Sequence, residues 1–231
     1  MKNFVKIFFS FFYRLLNHIY SLSKINHKNK IKLSVFFYRS RLSLAGKHNW
    51  FNTIGAINKS VFVISGNNNQ VDFNDGNING SSISIIGNNN KIFFSKGVFL
   101  VNSVIAIRGE ECIVRIGEST TFGGVRIVNV GSNNYIDIGA ACLFSDNIEI
   151  WAGDTHNIYN EQHEIINKEK PIIIGDNVWV GSRVNILKGV KIESGSIIGM
   201  GTTVVKDIPA ASINVGNPNR VVKNNVKWSI N

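Results

Sequence analysis

The sequence predicts an all-β chain wound as a solenoid of triangular coils, and three observations predict it. A unit of turn plus strand recurs four times, as GNNNQVDF from Gly66, GNNNKIFF from Gly87, GEECIVRI from Gly109 and GSNNYIDI from Gly131, at spacings of 21, 22 and 22. From Ile138 the apolar period tightens to six, through Ile138, Phe144 and Ile150 and again through Ile174, Val180, Ile186, Ile192, Ile198 and Val204. Small or branched residues follow most of these four places later, as at Cys142, Val178, Val184 and Thr202. A period of six matches neither the helical repeat of about 3.6 nor the alternation of a plain hairpin ladder. It matches a chain that turns a corner every six residues, so that eighteen make one coil. Leading aliphatic residues then point inward and stack on their equivalents, and strand edges pair between coils.

The elements follow in order. Residues 1–48 read as a basic arm, because the formal charge of +10 lies there: residues 1–71 hold eleven Lys or Arg and no acid before Asp72, leaving fourteen bases against fifteen acids in the rest. Phe4, Phe8, Phe11, Leu15 and Ile19 recur at helical intervals, which predicts an amphipathic helix. Its uncharged stretches, such as Ile7 to Tyr13, are far short of the roughly 20 residues that span a bilayer. Lys6 and Arg14 also interrupt any secretory signal. Such an arm either lies on an anionic membrane face, at about 1 kcal/mol per base, or packs on the domain or a neighbouring subunit. The body is near neutral and the arm matches no nucleic-acid-binding fold, so a nucleic-acid partner is not expected. The Asn-Gly tracts suit corners, since Asn and Gly tolerate positive φ. Cys112 and Cys142 stand in apolar strand contexts and read as small buried hydrophobes in a reducing, cytoplasmic compartment.

Six uninterrupted hexads, IGDNVW, VGSRVN, ILKGVK, IESGSI, IGMGTT and VVKDIP, followed by NVGNPNRVVK, resemble the hexapeptide-repeat acyltransferases. Residues 143–223 are similar to galactoside and maltose acetyltransferases, and the wider upstream repeats with the closing KNNVKW resemble bacterial capsule and O-antigen O-acetyltransferases. The resemblance implies a left-handed parallel β-helix over residues 49–215, with a loop at about 154–172 and a tail over 216–231. It also implies acetyl-CoA as co-substrate, no metal, a sugar or polysaccharide acceptor and a homotrimer with the coenzyme groove between subunits.

In WAGDTHNIYN, Trp151 to Asn160, the pattern stops, and it resumes in phase at Ile174, 36 residues after Ile138, which reads as two coils. The family carries its catalytic base at this place, which here is His156. The chemistry asks for such a group: a neutral imidazole takes the acceptor hydroxyl's proton as its oxygen attacks the thioester, at about 10² to 10⁴ in rate. Asp154 is a candidate to orient that imidazole. His163, between Gln162 and Glu164, is the competing histidine and reads as a solvated side chain. By the resemblance Trp179 flanks the acetyl path, and Ser182, Met200, Lys206 and Arg220 line the coenzyme groove. Lys206 and Arg220 suit phosphates, and backbone N–H groups near Ser182, or its hydroxyl, suit the oxyanion. Met200 replaces a usual small residue and Val205 a usual threonine. The expected activity is O-acetylation of a capsular or O-antigen polysaccharide. N-acetylation of an amino sugar and a non-catalytic scaffold are the alternatives.

Overall fold

The computed structural model describes residues 28–33 and 37–230, and among these every regular element is a strand. The strands form three sheets, which are the three faces of a parallel solenoid. The first face runs from Lys30–Lys32 to Lys191–Ile192, in eight strands. The second runs from Phe37–Tyr38 to Ile213–Val215 and adds Arg220–Lys223. The third runs from Arg41–Ala45 to Thr203–Val204, again in eight strands. Successive strands visit the faces in turn, and each pairs in parallel with its counterpart one coil on. Phe51, Val71, Ile92, Val114, Ile136 and Ile172 thereby form one unbroken inward row, all buried.

Coil length sets what fills the core. The register advances 20 residues from Lys30 to Trp50 and 22 from Lys91 to Ile113, but 18 from Ile173 to Lys191. The wide coils enclose more space and fill it with phenylalanine: Phe51 meets Phe62 edge-on at 5.0 Å, and Phe122 stacks on Phe144 at 4.6 Å. In the narrow coils Ile and Val suffice, as at Ile174, Val180, Ile186 and Ile192.

Each residue of a GNNN turn has its own task. Gly66 has φ +123, and a Cβ there would stand 1.9 Å from the Gly87 carbonyl oxygen, so only glycine lets the coils close. The first asparagine ties neighbouring turns from outside, with the Asn67 N–H donating to Asn88 Oδ1 at 2.8 Å. The second takes the left-handed conformation, at φ 56 for Asn68 and 58 for Asn89. The third is buried and builds a ladder: the Asn69 amide donates to the Gly87 carbonyl at 2.8 Å, and its Oδ1 accepts from the Asn90 N–H at 3.0 Å. Ser40, Ser60, Ser81 and Ser103 make a second ladder, each hydroxyl oxygen accepting the N–H one coil on at 3.0–3.1 Å.

Both cysteines are buried and free, and both occupy ladder rungs. Cys112 N–H donates to Asn90 Oδ1 at 2.9 Å while its Sγ lies 3.3 Å from the Gly131 carbonyl. Cys142 Sγ accepts from the Val178 N–H at 3.4 Å, and burial pushes its thiol up to about 11.

Three boundaries differ from expectation. The coils begin at Lys30, so residues 30–48, expected in the arm, form strands in all three faces. Their inward Leu42 and Leu44 are buried against Phe62 and Ile64 in register, while the bases that mark the stretch point outward. The helix expected earlier in the arm lies outside the described residues. Ile138 and Ile174 are direct partners, so the 36 residues between them make one coil with an excursion rather than two coils. Finally, the tail returns as Arg220–Lys223, antiparallel to Ile213–Val215, and covers that sheet edge.

The asparagine ladder predicts its own cost. Asn69→Ala strands the Gly87 carbonyl and the Asn90 N–H, and should destabilise the chain by about 2–4 kcal/mol. A thermal melt should fall by roughly 4–16 °C, at about 2–4 °C per kcal/mol for a domain of this size. An unchanged melt shows that water replaces the rung.

Candidate active site

The excursion leaves the third face after Trp151 and rejoins the first face at Ile172. Beyond its base it closes on itself as a short antiparallel excursion, with Tyr159 bridged to Ile165 and the Ile166 N–H donating to the Ile158 carbonyl at 2.9 Å. Asn160 makes the tip, its Oδ1 accepting from the N–H groups of Gln162 and Glu164 at 3.0 and 2.8 Å. His163 sits at that tip, exposed, at φ 61.

Two residues that the sequence did not single out hold the base together. Asn167 Nδ2 donates to Asp154 Oδ2 and to the His156 carbonyl, both at 2.8 Å, and Asn167 Oδ1 accepts from the Ile158 N–H at 2.7 Å. Lys188 Nζ, from the next coil, reaches Asp154 Oδ2 at 2.6 Å and the Asn167 carbonyl at 2.7 Å. The Lys188 bond first, and the Asn167 bond after it, hold the Asp154 carboxyl below the usual carboxylate range. Asp154 was expected to orient His156, but its carboxylate is engaged by Lys188 and Asn167. No hydrogen bond joins it to the imidazole, which is exposed and unbonded among the described residues.

Beneath the start of the excursion an open groove of about 560 Å³ runs over the third face. Trp151 and Leu187, partners in register, form an apolar floor. Glu149, Asn185 and Thr203 form a polar strip beside them, and Asp154 and Thr155 form the wall. Trp151 Nε1 donates to Glu149 Oε2 at 2.7 Å, which fixes the indole.

The other expected site residues lie elsewhere in the same chain. Trp179 is on the second face, 39% exposed, with the Trp228 ring 5.9 Å away. Trp228 is pinned by its Nε1 bond to the Asn177 carbonyl at 2.8 Å. Ser182 stands at the corner between the second and third faces, and its hydroxyl donates to Asp146 in a short bond that lowers the Asp146 carboxyl. Met200 is one coil on, 68% exposed, with the Gly201 N–H bonded to the Ser182 carbonyl at 2.9 Å. Lys206 and Arg220 are exposed at the C-terminal end, where Asn219 Oδ1 accepts the N–H groups of Val205 and Lys206. In one chain Asp154 and Thr155 line the third-face groove, His156 follows them in the exposed loop, and Trp179 stands on a different face.

Residues 171–206 match the family described as bacterial transferase hexapeptide (six repeats). The chain is 35% identical over 128 residues to a polysialic acid O-acetyltransferase of Escherichia coli O1:K1 / APEC, covering 54% of this chain and 40% of that protein. Matched Staphylococcus aureus proteins are covered over 54% of their length, so the chain spans about half the length, or less, of the curated relatives it matches. Two solved structures align over most of both chains. The polySia-specific acetyltransferase NeuO matches at 28% identity and TM-score 0.66, over 89% of this chain and 91% of that one. The polysialic acid O-acetyltransferase OatWY matches at 30% identity and TM-score 0.67, over 82% and 92%.

The clamp at the loop base makes a prediction. Lys188→Met should lower global stability by only about 1 kcal/mol, since the Asp154 side of the pair is half-exposed, yet speed protease nicking within residues 157–170 at least about fivefold by raising the open population. The Asp154 carboxyl is lowered in the folded chain, so its contribution is complete above the usual carboxylate range and is lost as pH falls through the lowered value. Nicking should therefore be flat from about pH 5 to 8 and rise only in stronger acid; a rise near neutrality assigns the clamp to another group.

Proposed function

We propose, taking as premise that the chain belongs to the family of bacterial hexapeptide-repeat transferases, that it moves an acetyl group from acetyl-CoA to a hydroxyl of a bacterial capsular or O-antigen polysaccharide. The observation that carries this reading is the interrupted coil. Ile138 and Ile174 stay in register while the chain between them leaves the stack, lines the third-face groove with Asp154 and Thr155, and carries the exposed His156 directly after them. That two polysialic acid O-acetyltransferase structures share the fold over about nine-tenths of their length supports the acceptor class.

The chemistry follows from the groups present. Neutral His156 takes the acceptor hydroxyl proton, and the oxygen attacks the thioester carbonyl. The tetrahedral oxyanion collapses, a C–O bond replaces the C–S bond, and the departing thiolate recovers the proton from the imidazolium. The Ser182 hydroxyl already donates its hydrogen bond to Asp146, so its oxygen is left to accept, for instance from an amide N–H of the coenzyme's pantetheine arm. Oxyanion stabilisation then falls to backbone N–H groups. Lys206 and Arg220 pair with the coenzyme phosphates. Asp154 acts by positioning the loop. The coils take the left-handed form of the family, and three copies assemble so that Trp179 of one copy flanks the His156 loop of another. The basic N-terminal segment, with no acid before Asp72, draws the enzyme to the anionic cytoplasmic face of the membrane or to a neighbouring copy.

His156→Ala should lower kcat about 100-fold or more with an unchanged melt, and near-normal turnover removes the assignment. Mixing His156→Ala with Trp179→Ala copies, unfolded and refolded together, should restore part of the activity if the site is shared. A site confined to one chain gives no recovery. The product should lose its acetyl group in mild alkali; a stable product indicates an amide.

A further inference from the structure

The first face carries an outward row that the transfer chemistry does not use. Register stacks Lys30, Trp50, Gln70, Lys91, Ile113 and Tyr135, one residue per coil. With strands about 4.8 Å apart, Trp50, Lys91 and Tyr135 stand at intervals of about 10 Å. The indole of Trp50 is fixed at two points: its Nε1 donates to Asp72 Oδ1 at 3.0 Å, and the Lys30 ammonium lies 5.9 Å from the ring centroid. Trp50 is nonetheless 39% exposed. The Lys91 ammonium and the Tyr135 hydroxyl have no hydrogen-bond or ionic partner among the described residues.

The charge on this face is one-sided towards the N-terminal end. No acid precedes Asp72 in the sequence, and Asp72 is occupied by Trp50, Asn52 and Gln70. The next acid along the face, Asp137, is paired with Arg115 at 2.9 Å. The row also has a defined relation to the loop. Tyr135 lies on the strand paired with Ile172–Ile174, where the His156 excursion rejoins the coils. From there the row runs about 24 Å to Lys30.

We propose that this face is a binding track for an acidic polysaccharide. Aromatic rings alternating with cations suit a chain of pyranose units: the rings cover apolar C–H faces, and Lys91 and Lys30 pair with carboxylates. The track rests on the acetyl-transfer reading and deepens it, because it assigns the stretch of polymer beyond the transfer site to the first face.

The full chain is run in affinity electrophoresis through gels holding polysialic acid, polygalacturonate or neutral dextran. Retardation by an acidic polymer and not by dextran is expected. Lys91→Glu and Trp50→Ala, each checked by thermal melt, should weaken it at least about 10-fold, while His156→Ala leaves it intact. In transfer assays Lys91→Glu should raise KM for long acidic chains about 10-fold, with kcat and the rate on a single sugar unchanged. No retardation by either acidic polymer overturns the track, as does retardation that both variants retain. So does binding of phosphatidylglycerol vesicles, in place of polymer, through the same residues. Should the polymer bind through this face yet receive no acetyl group, the transfer reading fails and the track stands.

Discussion

Among the described residues the strands' backbone hydrogen bonds run between coils rather than within them, and the rest of the structure depends on that. Each strand is satisfied by the strands one coil before and after, so every residue is stacked on its counterpart rather than on its successor. An apolar inward residue is therefore needed in every coil, and one polar intruder would face apolar neighbours on both sides. The corners carry the harder constraint. There the chain turns while its amides stay buried, and a stranded buried polar group costs about 1–3 kcal/mol. The asparagine and serine ladders answer it by letting one side chain per coil accept the next coil's N–H. Glycine stacked on glycine at Gly66 and Gly87 lets those corners approach closely enough for the ladders to form.

The same constraint decides where chemistry is placed. A residue inside the stack has its backbone fixed by two neighbours and cannot be moved without breaking register. An excursion at a corner escapes this, provided the chain returns in phase, as it does at Ile172 opposite Ile136. Long loops on a rigid scaffold are the usual carriers of function for this reason. Such a loop has little apolar contact, and its base is held instead by polar bonds among Asp154, Asn167 and Lys188. None of these is strong alone at the surface. Together they join both ends of the excursion to the following coil, so His156 is carried on a tethered base and not on a free strand.

Much of this was legible in the sequence because stacking imposes a period. The inward rows, the corners and the interruption at WAGDTHNIYN all appear as regular spacing or its loss. What did not appear was whatever depends on neighbours far apart in sequence. Asp154 meets Lys188 34 residues on, so the carboxylate read as a partner for His156 although it is engaged elsewhere. The first coil was hidden because its outward bases, among them Arg41, hide the inward pair Leu42 and Leu44. A run of three asparagines gives no sign that one is buried, one left-handed and one external. The cysteines read as apolar filling, since nothing in sequence shows that a thiol can stand in a ladder of amides and hydroxyls.

Because the interior is committed to stacking, the outward positions of the three faces are free to differ, and the tryptophans show how far they do. Trp50 on the first face is bonded to Asp72, Trp151 on the third to Glu149, and Trp179 on the second lies against Trp228 from the tail. Each indole is partly exposed and held by local contacts, which makes it a rigid surface on its own face. Three such surfaces on three faces cannot serve one small ligand within one chain.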